Sequence, residues 1–206
     1  MAHRHRKFHL MVLGTSGYGK STFAEKFIAH CPGTSCVFIF DPDGDFADEM
    51  GLTPCTTPAE IDRTVKTGFV CYDPGIMFPG EPEKGLDYLC RYAFERSKRL
   101  PGRKFLVIDE LGTQCNGGNI PKHLKICVQR GRHESLDCVF ISHTPNEIHN
   151  SIRAQVTEVV CFNLNVDEGV AATWLKNFGF NLDELRKLPP FHYIARNKRG
   201  GEARGH

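Results

Sequence analysis

The 206-residue chain is 40% hydrophobic and carries a formal net charge of +2 at pH 7. That length fits one domain whose core needs no covalent staples, and the composition excludes wholesale disorder. The charge is too small to argue for nucleic acid by itself, and no apolar run approaches the ~18 residues of a membrane helix. Any membrane contact is therefore expected to be peripheral or through a partner. Nine cysteines without a C-x-x-C pair, several of them inside apolar runs, read as free thiols in a reducing, cytoplasmic compartment.

Residues 1–7 (Met-Ala-His-Arg-His-Arg-Lys) are basic and lack apolar periodicity, so they read as a flexible tail. Phe8 to Leu13 is a buried strand ending at a Gly-rich loop. Ser21 to His30 follows as a helix, with Phe23, Ala24, Phe27 and Ile28 at helical spacing, broken by Pro32 and Gly33. Cys36 to Phe40 is a second strand, stopped by the acidic turn Asp41-Pro42-Asp43-Gly44-Asp45; Gly68 to Tyr72 is a third. A long helix fits Glu83 to Leu100, where Leu86, Leu89, Cys90, Ala93 and Phe94 make one buried stripe.

Phe105 to Ile108 is a continuous apolar strand ending at Asp109-Glu110, followed by a Gly-rich surface loop over residues 113–119. A helix is expected from Pro121 to Arg130, a strand from Cys138 to Ile141 ending at Ser142-His143, and a helix from Asn146 to Gln155. Val159 to Leu164 is a strand, Asp167 to Phe178 a helix, and His192 to Arg196 a last edge strand. Residues 197–206 are basic and Gly-rich and read as a second tail, leaving residues 8–196 as a single domain. Apolar strands alternating with helices give an α/β fold: a mostly parallel sheet covered on both faces.

The pattern G-x-x-x-x-G-K-[ST] is matched in full by Gly14-Thr15-Ser16-Gly17-Tyr18-Gly19-Lys20-Ser21, with Thr22 beside it. Its glycines let backbone N–H groups face phosphate oxygens, Lys20 brings a mobile cation to the β- and γ-phosphates, and the Ser21 hydroxyl reaches Mg²⁺. A strand before the loop and an amphipathic helix after it are the context this motif needs. The pattern implies ATP with Mg²⁺ as cofactor. Asp109, at the end of another buried strand, is placed to hold the Mg²⁺, and Glu110 to polarise the attacking water. An acidic pair there favours hydrolysis over transfer to a small acceptor, and no lid for such an acceptor is evident. The N-K-x-D sequence with which a GTPase reads its base is absent. His143, at the end of a third strand, can donate a hydrogen bond to the γ-phosphate or to the water, as a sensor.

Three stretches carry a resemblance. They are Phe38 to Phe46 with its acidic turn; Gln129-Arg130-Gly131-Arg132-His133 followed by Val139 to Pro145; and Ile148 with Ile152 to Thr157, leading into Val159 to Phe162. Together with the loop and the acidic pair they resemble the FtsK/HerA branch of P-loop motors, especially the small genome-packaging ATPases of tailless, membrane-containing viruses. That branch commonly has Ser-Gln-Arg-Pro where this chain has Ser142-His143-Thr144-Pro145.

The resemblance implies a RecA/FtsK/HerA-like P-loop NTPase of three αβα layers. It also implies a homo-oligomeric ring, usually a hexamer, that translocates DNA without regard to sequence. The partners it implies are DNA and a capsid-vertex or membrane protein, and the location is the host cytoplasm or the virion. A ring motor needs an arginine finger from a neighbouring subunit; Arg132 and Arg130 are the first candidates and Arg153 the reserve. Lys122, His123 and Lys125 are candidate DNA-phosphate contacts. The alternatives are an assembly and export ATPase of filamentous phages (Zot-like), whose members typically carry a membrane span, and a nucleotide-binding switch that does no DNA work.

Overall fold

Five buried residues, His9–Leu13, form strand β1 at the centre of the sheet in a computed structural model that describes residues 8–31, 33–115 and 120–206. The basic segment 1–7 and the loop residues 116–119 lie outside the described residues. After β1 come α1 (Lys20–His30), β2 (Thr34–Phe40), α2 (Asp45–Met50), α3 (Pro58–Thr64), β3 (Phe69–Tyr72) and α4 (Pro82–Ser97). The chain continues through β4 (Arg103–Ile108), α5 (Leu111–Gln114), α6 (Lys122–Arg130), β5 (Leu136–Ser142), α7 (Asn150–Arg153) and β6 (Glu158–Cys161). It ends with α8 (Val170–Asn177), α9 (Leu182–Leu185), β7 (Tyr193–Asn197) and β8 (Glu202–Gly205).

The strands form one sheet in the order β3-β2-β4-β5-β1-β6-β7-β8. Every pair from β3 to β6 is parallel; β6–β7 and β7–β8 are antiparallel. Side chains on successive strand residues point to opposite faces, and both faces are buried here. Leu106 and Ile108 of β4 join the core under α3, α4, α6 and α8, whereas Phe105 and Val107 join the core under α1 and α2. This is the three-layer arrangement that the run of apolar strands implied. Each parallel strand ends on the same edge of the sheet, so the loops after β1, β2, β4 and β5 meet there. In open sheets of this kind that edge is where ligands bind.

Three expectations change. The segment 146–155 is not one helix: Pro145–Glu147 is a 3₁₀ turn capped by the Thr144 hydroxyl, Ile148 is extended, and His149 caps a separate α7. Two side-chain caps so close together start two short turns instead of one long helix. The C-terminal residues assigned to a tail instead form β8, paired with β7 from Tyr193↔Gly205 to Arg196↔Glu202. The Gly200-Gly201 composition read as flexibility serves a hairpin turn, with Gly200 at φ 85. Arg196 and Arg204 both pair with Glu202, and Arg204 also pairs with Glu184. Hence β7 is an interior strand and β8 the edge. All nine cysteines are free thiols, eight buried and Cys31 half-buried. No helix among the described residues is long and apolar enough to cross a membrane.

Candidate active site

The loop from Gly14 to Lys20 leaves β1 and enters α1 over the end of the sheet. Gly14 has no room for a side chain, because a Cβ there would lie 2.7 Å from the Phe162 Cβ. Thr15 pins the loop from below, its N–H donating to the Asn163 carbonyl at 2.8 Å and its hydroxyl to the same oxygen at 3.2 Å. Gly19, at φ 98, turns the chain into α1 in a conformation L-residues rarely adopt. Among the described residues no acceptor takes the N–H of Gly17 or Gly19. Together with the free first turn of α1, they form the kind of concavity that binds phosphate.

Ser16, Gly17, Gly19, Lys20, Ser21 and Thr22 line a cavity of about 370 Å³, together with Asp109, Glu110 and His143. Lys20 is 7% exposed. Its Nζ lies 3.3 Å from the Thr15 carbonyl and 3.3 Å from His143 Nδ1. Burial pulls the ammonium below the usual lysine range, while Asp109 and Glu110 pull it back up. Lys20 therefore faces the carboxylate end of β4 across the cavity.

Asp109 is 8% exposed, and its carboxyl is pushed up to about 6, chiefly by burial, with repulsion from Glu110 and Asp41 adding to the rise. The hydrogen bond from the Glu110 N–H (2.9 Å) and the charge of Lys20 work the other way. Glu110 sits at φ 49, ψ 43, the left-handed region that non-glycine residues avoid. Such strain clusters at functional sites. Here it turns the chain two residues past the end of β4, and Glu110 Oε1 lies 2.7 Å from His143 Nε2. A lysine ammonium can only donate, so His143 Nδ1 accepts from Lys20 and Nε2–H donates to Glu110. Lys20, His143 and Glu110 form one chain of polar contacts across the cavity.

A second arc of carboxylates comes from the turn after β2. Asp41 is 2% exposed; its Oδ2 accepts from the Ala47 N–H at 2.9 Å and the Cys71 thiol at 3.3 Å, and its Oδ1 is buried without a partner among the described residues. Burial, and then repulsion from Glu110, Asp45 and Asp41, raises the Asp43 carboxyl. Asp45 and Glu49 line the cavity itself. Glu25 of α1 is pushed up to about 7, first by burial and then by its hydrogen bond with Glu49. This excess of carboxylate around Lys20 is the setting a divalent cation with bound phosphates would neutralise. The donors beside the loop, the Ser21 hydroxyl and the Asp109 carboxylate, are hard oxygens suited to Mg²⁺.

The remaining candidates lie elsewhere. Arg130 and Arg132 are exposed at the end of α6 and in the 3₁₀ turn after it, just before β5 begins. That is the edge of the sheet opposite the cavity, so neither reaches this chain's own site. Arg153 is buried to 9% exposure, with its guanidinium donating to the Pro145 carbonyl at 2.7 Å and to Asn150 Oδ1. A side chain held in this way clamps the α7 turn and does not reach outward. On α6, Lys122 and Lys125 are exposed, but His123 is held by Asp87, ring Nδ1 to Oδ2 at 2.7 Å.

Sequence reasoning missed Asp45, Glu49 and Phe191 as cavity-lining residues. Asp45 and Glu49 are four apart on α2, hence on one face. Only two residues of α2 are buried, and that leaves too little periodicity to reveal a six-residue helix. Phe191 carries no local signal, because the turn that holds it reaches the loop only through the fold.

Residues 6–157 match the family described as Helicase HerA, central domain. No curated protein matches the chain. Among solved structures, the genome packaging NTPase B204 from Sulfolobus turreted icosahedral virus 2 in complex with AMPPCP superposes with a TM-score of 0.72 at 15% identity, covering 97% of both chains. B204, the DNA-packaging ATPase from Sulfolobus Turreted Icosahedral Virus, gives 0.64 at 14% identity over 98% of each. Thermomonospora curvata EccC (ATPases 2 and 3) in complex with a signal sequence peptide gives 0.61 at 14% identity, over 96% of this chain and 36% of that one. At such identities the structural likeness speaks for the fold, and the sequence match speaks for the lineage: the chain belongs to the HerA helicase central-domain family, with the fold of its P-loop ATPases.

Proposed function

We propose that the protein hydrolyses ATP with Mg²⁺ and uses the energy to move DNA through a ring of its own copies, in the packaging of a viral genome. The observation that carries this is the convergence of Lys20, Ser21, Asp109, Glu110 and His143 on one cavity. Family membership and the end-to-end likeness to a packaging NTPase support the rest. The likeness in fold covers 97% of both chains.

In this reading the loop N–H groups and Lys20 hold the β- and γ-phosphates, and Ser21 and Asp109 hold the Mg²⁺. When bound, the ion draws charge from the phosphate oxygens. Glu110 accepts a proton from the water whose oxygen attacks the γ-phosphorus; the bond to the β–γ bridging oxygen breaks, giving ADP and inorganic phosphate. His143 positions Glu110 through the 2.7 Å contact. A γ-phosphate competing for Lys20 would free His143 Nδ1, and so report the nucleotide state to Glu110.

The finger is Arg132 or Arg130 supplied by a neighbour, since both stand exposed and far from their own cavity. Arg153 is held inward and is set aside. Steady-state ATPase activity with and without double- and single-stranded DNA tests the reading, using Lys20→Ala and Glu110→Gln as inactive controls. DNA-stimulated turnover that both variants abolish is the expected result; slow turnover indifferent to DNA would favour a nucleotide switch and overturn the motor. Arg132→Ala should lose turnover and keep ATP binding, and mixing it with Glu110→Gln subunits should restore part of the rate.

A further inference from the structure

A second cavity, of about 250 Å³, adjoins the phosphate cavity and shares Gly19, Thr22 and Phe191 with it. Its walls are aromatic: Phe23, Phe27, Phe162, Phe191 and Tyr193. The floor is rigid, with Tyr193 edge-on to Phe23 at 4.9 Å between ring centroids and tilted against Phe162 at 5.6 Å. Residues with polar groups are few, namely Thr22, Lys26, Tyr193 with its hydroxyl, and His206.

Phe191 stands out within this cavity. It is 55% exposed, a large apolar side chain open to water at the mouth of both cavities. Its φ is 65, and the His192 N–H donates to the Pro189 carbonyl at 3.2 Å. Proline second and a positive φ third is the pattern of a type II turn, whose third position calls for glycine or asparagine. The chain places a phenylalanine there. The Phe191 N–H donates to the Tyr18 carbonyl at 3.1 Å, tying the turn to the phosphate loop, and a Cβ on Gly19 would sit 2.8 Å from the Phe191 ring. The ring is therefore held against the loop, where it lines both cavities.

We propose that this aromatic cavity is the base subsite, that the purine ring of the nucleotide stacks on Phe191, and that the subsite distinguishes adenine from guanine weakly. The proposal rests on the phosphate loop binding a nucleoside triphosphate. Stacking is indifferent to base identity because every base has a π-face. Strong discrimination needs several hydrogen-bonding groups aimed at the base edge, and an apolar wall with few polar groups supplies little of that.

The test is calorimetric binding of ATP, GTP and inorganic triphosphate, each with Mg²⁺, to the wild type, Phe191→Gly and Phe191→Trp. Glycine suits the turn, so Phe191→Gly removes the ring without endangering the fold, and a thermal melt checks this. ATP and GTP are expected to bind the wild type within about threefold of each other. Phe191→Gly should weaken both by about tenfold or more, leave inorganic triphosphate unchanged, and be rescued by Phe191→Trp. Unchanged ATP affinity in Phe191→Gly overturns the stacking. So does an equal loss of ATP and triphosphate, which would mean the turn only props the loop. A GTP affinity more than about thirtyfold from that of ATP overturns weak discrimination. Failure of the wild type to bind triphosphate at all would instead strike the phosphate-site reading beneath the proposal.

Discussion

Replacing Asp109 with asparagine should stabilise the nucleotide-free protein at neutral pH while it removes function. Asp109 is nearly buried, and its folded-state pKa lies at about 6 against an ordinary 3.8. The folded protein thus holds this proton more tightly than the unfolded chain does. Well below the ordinary value of 3.8 both states are protonated and ionisation carries no penalty. As pH rises through 6 the folded state must ionise a buried carboxyl beside Glu110 and Asp41, and the penalty grows to about 3 kcal/mol by pH 7.5. At pH 5 it is roughly half that. Asparagine imitates the protonated form and keeps an oxygen for the Glu110 N–H. Asp109→Asn should therefore raise ΔG of unfolding by up to about 3 kcal/mol at pH 7.5, a rise of several degrees in Tm for a chain of this size. The gain should shrink on going to pH 5. Urea melts at the two pH values, repeated with Mg²⁺ and ATP, read both effects. The variant should lose most of the extra stability the wild type gains from Mg²⁺ with ATP. A variant less stable than the wild type at pH 7.5, a gain independent of pH, or undiminished stabilisation by Mg²⁺ and ATP would refute the reasoning.

Two further outcomes follow from the geometry. His143→Ala should lower kcat by about 100-fold, because Glu110 loses the group that aims it, while ATP affinity changes by less than about threefold; a single-turnover assay with parallel binding isotherms distinguishes the two, and an unaltered kcat would dismiss the positioning role. Arg103 Nε lies 2.8 Å from the Oδ2 of the fully buried Asp137, and its guanidinium stacks over Phe8 and Phe105. Arg103→Ala removes this contact from a buried carboxylate, together with the stacking on the two rings, and should cost about 3–5 kcal/mol in a denaturant melt, with a loss below about 1 kcal/mol contradicting it.

Much of the architecture was legible because the signals are local. Continuous apolar runs such as Phe105 to Ile108 mark strands buried on both faces, and the stripe of Leu86, Leu89, Cys90 and Ala93 marks one side of α4. The phosphate loop was legible for the same reason: its glycines, lysine and serine are consecutive, and the backbone conformation they need is encoded where they stand. The short elements were not. α2 and α9 bury only two residues each, too few to set up a period, and β8 looks like a tail until β7 is there to pair with it.

The sequence by itself therefore determined the phosphate loop, the alternation of strands and helices, and the acidic pair at the end of β4. Each depends on residues adjacent in the chain. Only the tertiary structure decided that β2, β4 and β5 end beside the loop, so that Asp109, Glu110 and His143 face Lys20 in one cavity. It also turned Arg153 inward, left Arg130 and Arg132 on the opposite edge, and folded the last strands back so that Phe191 meets the loop. Those placements follow from strand order and crossover connections. They are set by which apolar faces can be buried together, a property of the whole sheet that no stretch of neighbouring residues records.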